Sequence, residues 1–92
     1  MRPVLHKVME IVAEQFGEKI SDLTPQTHFA PTLSASLYFA EAMITCEEEF
    51  GITIPDEDAT NFDTIEMIAA YIQSRLEIDQ VVWPPAPKMP IQ

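Results

Sequence analysis

The chain is predicted to be all-α: a small bundle of three longer helices and one short helix, with a long first loop and a proline-rich C-terminal tail. Three observations carry that expectation. Apolar residues recur at spacings of three and four along most of the chain, Gly17 and Gly51 stand where two of these runs stop, and Pro84, Pro85, Pro87 and Pro90 crowd the last nine residues. Ninety-two residues suffice for one domain, which buries only about two-thirds of the surface its unfolded chain exposes. The expected organisation is a bundle over residues 1–78 and a tail over 79–92.

The first helix is expected from Pro3 to about Phe16, because Val4, Leu5, Val8, Val12 and Phe16 fall on one helical face. Proline suits its first turn and Gly17 its end. Residues 18–35 hold Pro25, Pro31 and many small polar groups. Ile20, Leu23, Phe29 and Leu33 are scattered through them without a helical period, which describes a long loop pinned by apolar anchors.

A second helix is expected from about Ser36 to Phe50, with an apolar stripe near Leu37, Ala40, Met43, Ile44 and Phe50 and with Glu41, Glu47 and Glu48 toward water. Gly51 ends it. Pro55 and the acids after it predict a short helical turn from Asp56 to about Thr60. Asp63-Thr64-Ile65-Glu66 reads as a variant capping box opening a last helix, which runs to about Leu76. Its inward residues are expected to be Ile65, Ile68, Ala69 and Ile72, flanked by Tyr71 and Leu76. Beyond Glu77 an extended tail is expected, with Val82 and Trp83 folding back onto the helices.

Charge narrows the partners. The formal net charge is −10, and no Lys or Arg occurs from residue 20 to residue 74, a window holding Asp22, Glu41, Glu47, Glu48, Glu49, Asp56, Glu57, Asp58, Asp63 and Glu66. Such a surface repels nucleic acid and anionic lipid and steers positively charged protein patches toward itself. No apolar run reaches the roughly 18 residues that suggest a membrane span, and helical periodicity begins directly after Arg2-Pro3, so a cytoplasmic monomer is expected.

Ordinary readings exist for each reactive residue. Cys46 is the only cysteine, which excludes an internal disulfide, and mid-helix it reads as a small packed residue. His6 and His28 lack a third partner for a metal or a catalytic set. Asp56-Glu57-Asp58 does not open an EF-hand loop, which would need glycine where Asn61 stands and glutamate where Met67 stands. Met9, Met43 and Met67 read as core filler. Ser34 or Ser36 would serve as a helix cap, a role worth about 1 kcal/mol.

Taken together, Leu23-Thr24-Pro25, Phe29, Ser36-Leu37, Glu47-Glu48-Glu49-Phe50, Ile54-Pro55-Asp56 and Ala70-Tyr71-Ile72 resemble the acyl carrier proteins over nearly all of residues 4–72. The resemblance implies an acyl-carrier-like fold, no enzymatic activity, and a 4′-phosphopantetheine arm from coenzyme A on Ser36, matched by its spacing from Phe50. It also implies docking of partner enzymes through Leu37, Glu41, Ile44, Glu47, Glu48 and Asp56. The partners would be a phosphopantetheinyl transferase and the loading, synthase or transferase enzymes of a fatty-acid, polyketide or related pathway, with basic docking patches.

The chain departs from the family in four places. Ala35 replaces the usual Asp before the serine, and Leu33-Ser34 replaces Leu-Gly, which makes Ser34 the second candidate attachment point. The step from Phe29 to Ser36 is one residue short, and Tyr38 and Phe39 make the top of the docking helix more apolar. These departures suit a specialised carrier. The alternative is a degenerate carrier fold that serves as an interaction module without an arm.

Overall fold

The computed structural model describes residues 2–29 and 36–85. Among them the elements are α1 (Arg2–Phe16), a 3-10 turn (Ile20–Asp22), α2 (Leu37–Phe50), α3 (Asp56–Ala59) and α4 (Ile65–Ile78), so the expected three longer helices and one short helix are present. Helix α1 packs against both α2 and α4.

Local chemistry sets the helix ends. Three of them close in the same way, with a left-handed residue followed by an N–H reaching back five residues. At α1 the residue is Gly17 (φ 68°), and Glu18 N–H donates to the Ala13 carbonyl at 2.8 Å. Gly51 (φ 68°) ends α2, where Ile52 N–H reaches the Glu47 carbonyl at 3.3 Å; Gln80 (φ 56°) ends α4, where Val81 N–H reaches the Leu76 carbonyl at 2.9 Å.

The core is continuous. Val4, Val8, Ile11 and Val12 of α1 meet Phe39, Ala42, Met43, Cys46 and Phe50 of α2 and Ile65, Ile68, Ala69, Ile72 and Leu76 of α4, with Phe29, Ile52, Ile54 and Phe62 supplied by the connections. Every inward residue expected of the last helix is buried.

The structure corrects four expectations. The inward stripe of α2 is Phe39, Ala42, Met43, Cys46 and Phe50, whereas Leu37, Ala40 and Ile44 are exposed. The cap of α4 is Thr64, whose Oγ1 accepts from Met67 N–H at 3.2 Å. Asp63 does not cap because residues 63–64 are drawn into extended backbone against the first loop, with a bridge between His28 and Thr64 and Phe29 N–H donating to the Asp63 carbonyl at 2.9 Å. Glu66 accepts from Gln26 Nε2 at 3.1 Å instead of reaching back to a cap. Met67 is not core filler: it is exposed, and its sulfur accepts from Asp63 N–H at 3.4 Å.

Beyond α4, Val81 and Trp83 pack onto the core while Val82 is exposed. Residues 86–92 and the alternative serine at 34 lie outside the described residues.

Candidate functional site

Ser36 has extended backbone (φ −82°, ψ 159°), the conformation of a residue that enters a helix without belonging to it. Its Oγ accepts from Phe39 N–H at 3.2 Å and so satisfies one of the four amide donors that a helix start leaves open. Burying Phe39 on the first inward position of α2 (3% exposed) fixes the rotation of the helix and turns Ser36 to the rim of a cleft.

That cleft has a volume of about 270 Å³. Phe39, Ala40, Met43, Ile44 and Glu47 of α2 form one wall. Ile54, Asp56, Ala59 and Thr60 form the other, from the connection and α3. Buried Phe39, Met43 and Ile54 make the floor apolar, and the rim mixes Ser36, Glu47, Asp56 and Thr60 with exposed Ala40 and Ile44, which suits a small apolar guest entering beside a polar anchor.

Two contacts hold the second wall in place. Glu47 Oε2 accepts from Ile54 N–H at 2.7 Å, a short charge-assisted bond that ties the connection to α2. On the far side, the Tyr71 hydroxyl donates to Asp58 Oδ2 at 2.8 Å, and its ring packs edge-on against Phe62 with centroids 5.2 Å apart. Desolvation, and then the bond to Asp58, hold the Tyr71 phenol above its ordinary pKa. The α3 residues include none that is fully buried, so these tethers matter to its placement.

Helical geometry advances about 100° per residue, which puts Leu37, Glu41, Ile44 and Glu48 on one outward line of α2, opposite the core. Leu37 is 71% and Ile44 51% exposed. Glu41 accepts from Gln15 Nε2 of α1 at 2.8 Å, and Glu48 is exposed without a hydrogen bond or ion pair among the described residues. The six residues expected to dock partners therefore divide. Four form this line, while Glu47 and Asp56 border the cleft and Glu47 is half-buried with its carboxylate turned to Ile54.

Tyr38 and Phe39 also separate. Tyr38 is 59% exposed, edge-on to Phe16 with centroids 6.5 Å apart, and Phe39 packs inward on Phe29 at 5.2 Å. Only Tyr38 adds apolar surface at the top of the helix.

Cys46 is fully buried, and burial followed by the nearby charges of Glu47 and Glu49 pushes its thiol up to about 12, so it packs as a neutral apolar group. The internal role of Glu47 was missed from the sequence, which shows three consecutive glutamates and nothing that distinguishes the one facing Ile54. The burial of Phe39 was also missed: positions 39, 42, 43, 46 and 50 keep helical spacing, but so does the stripe through Leu37, Ala40 and Ile44, and only packing against α1 and Phe29 decides between them.

Residues 6–72 match the family model described as "Phosphopantetheine attachment site". The chain is also 39% identical over 74 residues to an acyl carrier protein from an Exiguobacterium strain, covering 79% of this chain and 94% of that protein. A second acyl carrier protein, from Rubrobacter xylanophilus, is 39% identical over 70 residues, covering 75% of this chain and 86% of that one. The chain belongs to the acyl carrier protein family.

The carrier is accordingly not an enzyme, and its implied prosthetic group is a covalently attached 4′-phosphopantetheine. The residues present fit such a group: a serine caps the start of α2, and an apolar cleft begins beside it. Among the described residues no helix of the carrier is long and apolar enough to cross a membrane. The family-model match ends at residue 72, so Val81 and Trp83, which pack onto the core beyond α4, fall outside the matched residues.

Proposed function

We propose that this carrier holds an acyl or aminoacyl group as a thioester on phosphopantetheine attached to Ser36, and presents it to cytoplasmic enzymes of a specialised fatty-acid, polyketide or related biosynthetic pathway. The observation that supports this most is the position of Ser36, which caps α2 at the rim of an apolar cleft while the same helix carries an acidic and apolar line outward.

Attachment forms a bond from Ser36 Oγ to the phosphorus next to the pantetheine of coenzyme A. The pyrophosphate P–O bond breaks, the adenosine bisphosphate leaves, and the serine proton passes to a base of the transferase, which also supplies the metal. When bound, the group supplies a terminal thiol on which cargo is carried. The chain's own contribution is placement. Phe39, Met43, Ile44, Ile54 and Ala59 offer apolar cover to a cargo, and Leu37, Glu41, Ile44 and Glu48 offer a partner a surface of apolar contacts between carboxylates, with Glu47 and Asp56 at its edge.

The preferred partners are proteins with basic docking patches. The window without Lys or Arg covers all of this surface, so electrostatic steering is not opposed locally. Tyr38, exposed beside Leu37, narrows the set to partners that can accommodate an aromatic ring near the serine.

Mass spectrometry after incubation with coenzyme A and a broad-range phosphopantetheinyl transferase tests the reading. The intact chain gains the mass of one arm and Ser36→Ala gains none. Modification that survives in Ser36→Ala and disappears in Ser34→Ala moves the attachment to Ser34. No gain on the intact chain leaves the armless interaction module, to which the replacement of the usual Asp by Ala35 would then be the key.

A further inference from the structure

The three glutamates at the end of α2 are treated by the fold in three different ways. Glu47 is spent on Ile54 N–H, as described above. Glu48 points outward on the line of Leu37, Glu41 and Ile44. Glu49 lies about 100° further round, toward α1 and the tail, where its Oε2 accepts from Trp83 Nε1–H at 3.0 Å.

That contact is one of several that hold the tail in place. The left-handed turn at Gln80 reverses the chain, Val81 N–H bonds to the Leu76 carbonyl, and the Val81 side chain comes to rest over Gly51. The Trp83 ring then lies on Phe50 with centroids 4.6 Å apart and planes at 55°. Phe50 is 1% exposed. The strap thus links the C-terminal ends of α2 and α4 and reaches Glu49 with its ring already seated, so the carboxylate meets a donor whose position is fixed. Lys7 of α1 stands on the same side: its ammonium is held above its ordinary pKa chiefly by Glu10, with a smaller contribution from Glu49.

We propose that Trp83 is a specificity-determining residue: by holding Glu49 against the strap, it removes that carboxylate from partner recognition and leaves Glu48 as the acid a basic partner reads at this end of α2. This rests on the reading of α2 as the docking face. The indole N–H occupies one carboxylate oxygen of Glu49 and orients the other, so the side chain is drawn toward Trp83 and Phe50 and away from the Leu37–Glu48 line. A partner whose footprint requires two adjacent carboxylates here is disfavoured; one that needs only the Leu37–Glu48 line is not.

The test uses the full chain as substrate for a broad-range phosphopantetheinyl transferase at low salt, with kcat/KM measured for Glu48→Gln and Glu49→Gln, each also in a Trp83→Phe background. Trp83→Phe keeps an aromatic ring on Phe50 and deletes the N–H. Glu48→Gln should lower kcat/KM about two- to five-fold. Glu49→Gln should leave it unchanged in the intact chain and lower it by a similar factor once Trp83→Phe has freed the carboxylate, a dependence of one site on the other that separate sites do not show.

Equal losses for Glu48→Gln and Glu49→Gln in the intact chain overturn the inference and leave the docking face standing, as does a Glu49→Gln that is silent in both backgrounds beside an active Glu48→Gln. Silence of both in every background overturns the docking reading together with it. A second measurement needs no altered tail. Trp83 is the only tryptophan, so the labelled chain has one indole N–H signal. Titration with unlabelled transferase should move the Ile44 and Glu48 amides and leave the indole signal in place; loss or displacement of that signal overturns the inference.

Discussion

The two ends of α2 are built to opposite specifications. At the N-terminal end Leu37 and Tyr38 are 71% and 59% exposed, Ser36 sits on the rim of a cleft, and the second wall of that cleft includes a four-residue helix with no fully buried residue. At the C-terminal end Phe50 is 1% exposed, Glu47 and Glu49 are each committed to a donor outside the helix, and a turn on either side, at Gly51 and Gln80, brings connecting chain over the ring. One end keeps apolar surface in water and the other removes it. The difference separates stability from exposure: buried apolar contact is concentrated around Phe50, where of the three glutamates only Glu48 is left without a donor among the described residues, and exposed apolar surface is concentrated around Leu37 and Tyr38, whose loss should cost the fold little.

The largest test of that division compares two apolar truncations on the same helix. Phe50→Ala should destabilise the chain by about 3–5 kcal/mol, a large share of the roughly 5–15 kcal/mol that holds a domain folded. Leu37→Ala should change stability by less than about 0.5 kcal/mol while slowing attachment of the arm. Urea unfolding followed by circular dichroism measures both, and a Leu37→Ala as destabilised as Phe50→Ala would abolish the distinction between the ends.

How far the sequence discloses this arrangement depends on the element. The spans of α1 and α4 and the endings at Gly17 and Gly51 are readable because apolar and polar residues alternate cleanly there and because only a left-handed residue continues the chain from those helix ends. Helix α2 is harder. Leu37, Tyr38, Phe39, Ala40, Ala42, Met43, Ile44, Cys46 and Phe50 surround most of its circumference, so no single stripe is defined until α1 and Phe29 choose Phe39.

Long-range pairing hides the rest. Thr64 replaces Asp63 as the cap because His28 and Phe29 hold the preceding backbone, and the 3-10 turn at Ile20–Asp22 has no hydrophobic period to announce it. Of the candidate site, Ser36 and the outward residues Leu37, Glu41, Ile44 and Glu48 are named by the family resemblance, since helical spacing alone puts Leu37 and Ile44 on the apolar stripe; the use of Glu47 and Glu49 depends on Ile54 and Trp83, seven and thirty-four residues away.

A pH titration sharpens the comparison from the closed side. Cys46 is buried with its thiol raised from 9.0 to about 12. Above pH 9 the unfolded chain releases this proton and the folded chain retains it, so the native state binds more protons and stability must fall as pH rises. The slope attributable to the thiol is about 1.4 kcal/mol per pH unit until the folded value is reached. Cys46→Ala removes that contribution, so the difference between the two stability curves isolates it from lysine and tyrosine titration. Curves that stay parallel from pH 9 to 11 would mean that the middle of α2 admits water and a charge.

The smallest effect is a gain. Gly17, Gly51 and Gln80 all occupy left-handed backbone at a helix end, yet only Gln80 carries a Cβ there, a conformation that costs an ordinary residue about 1–2 kcal/mol. Part of that cost returns as chain entropy when glycine is substituted, so Gln80→Gly should raise stability by about 0.5–1 kcal/mol. The same substitution should leave the Trp83 indole signal unchanged, because Val81 and Trp83 are positioned by Leu76, Gly51, Phe50 and Glu49. A gain in stability with the indole signal unmoved means the strap is seated by its own contacts. A gain accompanied by a shifted signal means the strained turn at Gln80 aims the tail, and the closed end of α2 would then owe its closure to backbone geometry in α4 more than to the ring on Phe50.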